Sequence, residues 1–341
     1  MPVRATSCDA EASRPCLSSR PTAPAAPRGE TRAVVVSVVG SGVIALVAVS
    51  MVAVAGRRDL RPLRETRAHF TGPRGSAPST VEAMTPTTPT LSDDDRTALY
   101  DAQNVWAADD DFFLALVGGR EESRVLDLGC GTGRLTLALA AAGHRVTGID
   151  PDDGAVAAAR RKPGADAVVW VAGTSEQVPP GAGFDTALMT AHVAQAITDE
   201  GMWRGTLDDL HAALVPGGLL AFDSRDPADR AWERWTPERS RGTTTLPDGT
   251  SVEGWHEVTG VEESGPDGGP PDTWLVHLAE HTLLPDGTHV VDVGELVFRS
   301  EARLRADLDA AGFVVEQVHG GWDRQPVGEG VGELIVLARR V

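Results

Sequence analysis

The sequence predicts an α/β fold: a doubly wound parallel sheet that also carries a block of antiparallel strands. Three observations predict it. Residues 125–150 read as strand, glycine turn, helix, strand and acidic tip. Apolar strands and helical stretches then alternate as far as Asp223, the pattern of a parallel sheet with crossover helices. From Gly242 to Phe298 the pattern changes to strands joined by Pro-Asp-Gly turns.

The 125–150 unit is the most informative. Val125, Leu126 and Leu128 make a short apolar strand interrupted by Asp127. Gly129-Cys130-Gly131-Thr132-Gly133 turns the chain, and Leu135 to Ala142 is rich in strong helix formers. Gly143 stands where a helix needs a left-handed residue to end it. A second strand, Arg145 to Ile149, leads to Asp150. Glycines without Cβ let a ligand approach the backbone, and the helix N-terminus that follows offers free N–H groups to an anionic group. An acid 21 positions after the first glycine is at the distance of about 20 expected for a ribose-binding carboxylate. The unit therefore predicts a nucleoside-containing ligand at the carboxyl ends of the strands. The dinucleotide fingerprint G-x-G-x-x-G fails in both alignments, because Arg134 or Thr136 stands at its third glycine.

Asp127-Leu128-Gly129-Cys130-Gly131-Thr132-Gly133 closely resembles the D-x-G-x-G-x-G first motif of class I S-adenosyl-L-methionine (SAM)-dependent methyltransferases, with Asp150 as the ribose acid. The resemblance covers roughly residues 92–341 and is strongest from 124 to 224. It implies a doubly wound seven-stranded Rossmann-like methyltransferase sheet, with an antiparallel β insertion over the substrate site at 242–298. It implies SAM as cofactor, held by Asp127, Gly129, Cys130, Gly131, Gly133, Asp150, Pro151, Gly173, Thr174, Ser175 and Met189. Asp127 would lie near the methionine portion. The acid that often meets the adenine amino group is replaced by Thr174 or Ser175, so a backbone contact or Glu176 would have to substitute.

The remaining elements follow in order. Leu91 to Val117 reads as one or two helices, with Ser92 and Asp95 in a capping arrangement. In the resembling family such helices cover the cofactor, and Tyr100 either lines that lid or packs beneath it. Pro151 to Arg161 is a short helix and Ala167 to Ala172 a third strand, with Trp170 read as core. Phe184 to Met189 is the fourth strand, leading to His192 at the carboxyl end of the sheet. His192 is the candidate catalytic residue: a general base, or a group that positions cofactor or acceptor. Trp203 to Leu214 is an amphipathic helix, and Leu214-Val215-Pro216-Gly217-Gly218 resembles the family's turn before the fifth strand, Leu219 to Asp223. Arg225 either clamps a substrate carboxylate or pairs with Asp223 or Asp226. Trp232 and Trp255 are further candidate substrate contacts, and His256, Glu257, His277 and His281 are placed to face the same pocket. Alternation puts His277 and His281 on one face and Trp274 on the other. Ser300 caps a helix through Ala311, and Phe313 to Val318 and Glu333 to Ala338 form the final, antiparallel strand pair.

Net charge is −18 and unevenly spread. Residues 1–91 carry 11 Arg against 6 acids, and residues 92–341 carry 20 basic against 43 acidic residues. An acidic body excludes nucleic acid as the expected partner, since that binding rests on basic residues at phosphates. Cys8, Cys16 and Cys130 make no disulfide framework, and no Cys/His cluster at metal-ligand spacing is present. The His277/His281 pair lacks a clear third ligand, so no metal is expected.

Residues 1–32 read as a disordered tail and 57–91 as a flexible linker. Between them, 33–56 are 24 residues without a charge. As a helix they would span about 36 Å, enough for a bilayer core of about 30 Å. Five arginines from Arg57 to Arg67 would place the body in the cytoplasm. The rival reading is a start at Met84, with 1–83 not expressed. The body, 92–341, is expected to be a methyltransferase domain that methylates an O, N or C atom of a small-molecule acceptor. Two alternatives are a non-catalytic SAM-binding module tethered to the membrane, and a nucleotide-cofactor oxidoreductase on a similar sheet.

Overall fold

The computed structural model describes residues 91–119, 122–266, 269 and 271–341. The tail, the candidate membrane helix at 33–56, nearly all of the linker and Met84 lie outside the described residues. Among the described residues no helix is long and apolar enough to cross a membrane.

The chain enters through two helices, α1 (Asp93–Gln103) and α2 (Ala108–Gly118). Ser92 caps α1, its Oγ accepting from the Asp95 N–H at 3.1 Å. The central unit follows as β1 (Arg124–Leu128), α3 (Arg134–Ala141) and β2 (Arg145–Asp150). Gly143 takes φ +95° just past the end of α3, as the sequence requires. Next come α4 (Asp153–Arg161), β3 (Val169–Ala172), β4 (Phe184–Met189), the single-turn α5 (Val193–Ala196), α6 (Glu200–Ala213) and β5 (Leu214–Arg225). A short helix, α7 (Pro237–Ser240), precedes four consecutive strands: β6 (Gly242–Thr245), β7 (Ser251–Ser264), β8 (Thr273–Leu283) and β9 (His289–Arg299). The chain closes with α8 (Glu301–Ala310), β10 (Phe313–His319) and β11 (Glu333–Arg340).

Seven strands form one sheet in the order β10-β11-β5-β4-β1-β2-β3. β1 to β5 are parallel, and β11 is antiparallel to both β5 and β10. The expected final pair is therefore antiparallel within itself, but only β11 opposes the rest of the sheet. The fifth strand also begins earlier than expected. Phe184 pairs with Leu214 and Thr186 with Leu219, so Pro216-Gly217-Gly218 is looped out inside one strand. Pro216 lacks the N–H a ladder needs, and Gly217 takes φ +75°.

Strand pleating divides the core between the two faces. Leu126, Met189 and Phe222 pack with Trp203, Leu207, Leu210 and Leu308 on one side. Val125, Leu188 and Ala221 pack with Phe112, Phe113, Leu135 and Leu139 on the other.

β6 to β9 form a separate antiparallel meander. Its two Pro-Asp-Gly turns behave as their sequence dictates. Asp248 and Asp286 each accept the N–H two residues on at 2.8 Å, and Gly249 and Gly287 take φ +89° and +86°. Arg299, at the end of β9, ties this sheet to the body. It is 1% exposed and donates to the carbonyls of Ala194 and Ile197, both at 2.9 Å.

Candidate functional site

In the sheet the strand order reverses between β1 and β4, which opens a crevice beyond their carboxyl ends. Gly129, Gly131 and Gly133 line it with φ +79°, +53° and +82°. The side-chain space is as restrictive as the backbone. A Cβ on Gly129 would lie 2.3 Å from Val193 Cγ2, and one on Gly133 2.4 Å from Trp170 Cη2. Gly133→Ala is expected to cost about 2 kcal/mol or more, from the left-handed backbone plus the overlap with Trp170. Chemical denaturation measures it, and a loss under about 0.5 kcal/mol would contradict the packing described.

Asp150 is 3% exposed and organises the turn. Its Oδ2 accepts the Gly131 N–H at 2.7 Å and its Oδ1 the Asp152 N–H at 2.9 Å. Asp127 is 1% exposed and accepts from Thr136 Oγ1 at 2.5 Å, while its Oδ1 is buried without a hydrogen-bond partner. Burial pushes both carboxyls up to about 6. Cys130, also buried, has its thiol pushed well above the usual range by desolvation. Pro151, Thr174 and Ser175 line a narrow cleft with Leu128, Gly129, Val193, Ile197, Met202 and Thr206. Gly173 takes φ +150° beside it, and its neighbour Thr174 donates its N–H to Gln177 Oε1 at 2.6 Å. Ser175 Oγ donates to Asp209 Oδ2 at 2.7 Å. Glu176, offered by the sequence as a substitute, is exposed. Met189 is 0% exposed and packs with Leu126 and Phe222 in the core layer on the α6 side of the sheet.

α1 lies over the glycine turn. Tyr100 Oη is 3.4 Å from where a Gly131 Cβ would be, and burial raises its phenol to about 12. Asp101 accepts from Thr132 Oγ1 at 2.5 Å and pairs with Lys162 at 2.7 Å. Arg134 donates to the Asn104 and Val105 carbonyls, both at 2.7 Å, and meets Asp110 at 3.1 Å. Tyr100 thus packs against the glycine turn. The contacts of Asp101 and Arg134 carry no local signal in the sequence, because their partners lie more than 20 positions away.

Across the crevice, His192 takes φ +65° at the start of α5. Its N–H donates to Asp223 Oδ2 at 2.9 Å. Its Nε2 lies 3.0 Å from Glu333 Oε2 and 3.3 Å from Asp223 Oδ2. Burial, then the charge of Arg225, pulls the imidazole down to about 4. Burial pushes Asp223 up to about 6 and Glu333 to about 8. Glu333 carries no local signal in the sequence. It arrives through strand pairing, opposite Arg225 in the β11–β5 register. Arg225 donates to Gln195 Oε1 at 3.0 Å and lies over the Trp235 ring at 5.3 Å. Asp226 instead accepts the Ala228 N–H at 2.9 Å.

The antiparallel sheet gives Trp255 and Trp232 different surroundings. Trp255 stacks on His281 and His289 at centroid distances of 4.9 and 5.2 Å, beneath Arg241. His256, one residue on, is buried on the opposite face, paired in register with Glu280 and thence Asp292. The two-residue pleat places His256 inward and Trp255 outward. His277 lies on the outward face too, between Glu262 and Glu295. Trp232 is 3% exposed and packs on Phe298 at 4.7 Å and Trp274 at 6.4 Å, as core under the sheet.

Strand order, the glycine turn after β1 and the acidic tip of β2 together make a Rossmann-like α/β sheet with its crevice at the turn. Residues 125–218 match a family described as methyltransferase domain. Rat glycine N-methyltransferase is 32% identical over 119 residues, 30% of this chain and 40% of that protein. A ubiquinone biosynthesis O-methyltransferase from Bradyrhizobium is 32% identical over 112 residues, 32% of this chain and 42% of that protein. The chain spans about half the length, or less, of these curated relatives. Among solved structures, a sugar N-methyltransferase from Streptoalloteichus superposes with a TM-score of 0.53 at 18% identity, covering 82% of this chain and all of that one. An amino pentose methyltransferase from Micromonospora echinaspora, solved with SAM bound, gives 0.51 at 22% identity, covering 72% and 95%. At these identities the likeness is one of fold.

Proposed function

We propose that this chain is a SAM-dependent methyltransferase acting on an O, N or C atom of a small molecule. The observation that carries it is the glycine turn at the carboxyl ends of β1 and β4, with Asp150 against it. The residues present fit the cofactor. The glycines leave a backbone surface without Cβ, Asp150 keeps lone pairs for ribose hydroxyls, and the orphaned Asp127 Oδ1 needs a donor. The cleft lined by Pro151, Thr174, Ser175 and Met202 offers an apolar slot with hydroxyls at its rim.

Bound SAM supplies an activated sulfonium methyl for in-line displacement. The chain's own task is then to align the acceptor and exclude water. α1 does the excluding, held down by Asp101, Lys162 and Arg134. His192, neutral and fixed by Asp223 and Glu333, positions the acceptor. It would take a proton only from a nucleophile that arrives protonated.

The test is calorimetry with SAM and S-adenosylhomocysteine on the full chain. Micromolar 1:1 binding supports the reading; a folded protein that binds neither, or binds NAD or NADP instead, refutes it. Binding without turnover on any acceptor would favour the non-catalytic module. A pH series sharpens the test. Asp127 and Asp150, both near 6, are ionised above that pH and neutral below it. SAM carries positive charge, so its affinity is expected to rise from about pH 5 to pH 7 and then level off. The unliganded protein moves the other way. Carboxyls raised above their unfolded values hold protons more tightly when folded, so their contribution to stability falls as pH rises through about 4 to 6. An affinity that is flat from pH 5 to 7 would exclude both carboxyls from the cation's surroundings.

A further inference from the structure

We propose that His192, Asp223 and Glu333 form a binding site for one divalent first-row cation, Mn²⁺ or Zn²⁺ by the chemistry of the donors. The three residues come from the turn between β4 and α5, the end of β5 and the start of β11, so spacing along the chain conceals them. Their ligand atoms all lie within 4.8 Å of one another, with His192 Nε2 at 3.0 Å from Glu333 Oε2 and 3.3 Å from Asp223 Oδ2. Cis ligands on an ion with bonds of about 2.1 Å stand about 3 Å apart, so little movement is needed to admit one. Imidazole nitrogen and carboxylate oxygen are donor types that such ions take.

A second observation points the same way. Asp223 is 0% exposed, and its Oδ1 has no hydrogen-bond partner among the described residues. An orphaned carboxylate oxygen at that depth is costly, and a cation would satisfy it. Asp109 adds negative charge nearby, while the Arg225 guanidinium, engaged by Gln195, offsets part of it. His192 and Glu333 keep 15% and 12% side-chain exposure, which leaves the ion an entry. Granted the methyltransferase reading, an ion here stands at the carboxyl ends of the strands, where His192 would position the acceptor through the ion, which holds an acceptor oxygen, and would not itself accept a proton.

The experiment titrates chelator-stripped full chain with Mn²⁺, following the free-ion electron paramagnetic signal, and with Zn²⁺ by calorimetry. One ion per chain is expected, with affinity falling at least tenfold in Glu333→Gln and in Asp223→Asn. Absence of binding up to about 1 mM, the weak end for built sites, overturns the proposal, as does binding unchanged in Glu333→Gln. Asp223 is buried, so circular dichroism checks its variant; Glu333, at the rim, decides alone if that variant unfolds. S-adenosylhomocysteine is titrated into the same samples. Nucleoside binding without metal binding removes only the cation site, and the converse removes only the cofactor reading.

Discussion

Asp150→Ala should weaken S-adenosylhomocysteine binding by about 100-fold, near 3 kcal/mol. Under the proposed function the carboxylate serves two ribose hydroxyls, and hydrogen bonds to a charged acceptor contribute about 1.5–3 kcal/mol each. The same carboxylate also holds the N–H groups of Gly131 and Asp152, so its loss loosens the glycine turn itself. Asp150→Asn separates the two effects. It keeps an acceptor for the turn but gives up the charge, and is expected to retain an intermediate affinity, about tenfold weaker than the parent. Calorimetry on folded protein reads both variants. An unchanged dissociation constant in Asp150→Ala would take this residue out of the site.

Arg299→Ala should destabilise the fold by about 3 kcal/mol and lower the Tm by roughly 6–12 °C. The guanidinium is buried, spans the carbonyls of Ala194 and Ile197, and lies over the Trp203 ring at 4.5 Å. It also meets Glu200 at 3.4 Å. Truncation strands two carbonyls and opens a cavity against Trp203, the largest fully buried side chain among the described residues. Arg299→Lys keeps the charge without the planar fork and is expected to recover less than half of the loss. Thermal unfolding by circular dichroism measures this, and a shift under about 2 °C for the alanine variant would show that the insertion is held by its other contacts.

The sequence by itself determined what local chemistry can determine. The glycine turn, Asp150, the caps at Ser92 and Ser300, and the two Pro-Asp-Gly turns are each specified within a few residues, because they depend on φ and on hydrogen bonds to near neighbours. Strand and helix order followed from apolar patterning, and with it the parallel sheet and the antiparallel insertion. Only the tertiary structure decided which face each residue of the insertion shows. A slip of one residue inverts every side chain, so Trp255 went outward and His256 inward. The position of Glu333 was likewise set by β11 pairing antiparallel to β5, a contact more than 100 residues long in sequence. Asp101 and Arg134 acquired their partners only when α1 settled on the glycine turn. Turns and periods are written locally; a site assembled from the ends of several strands exists only once the sheet has placed them side by side.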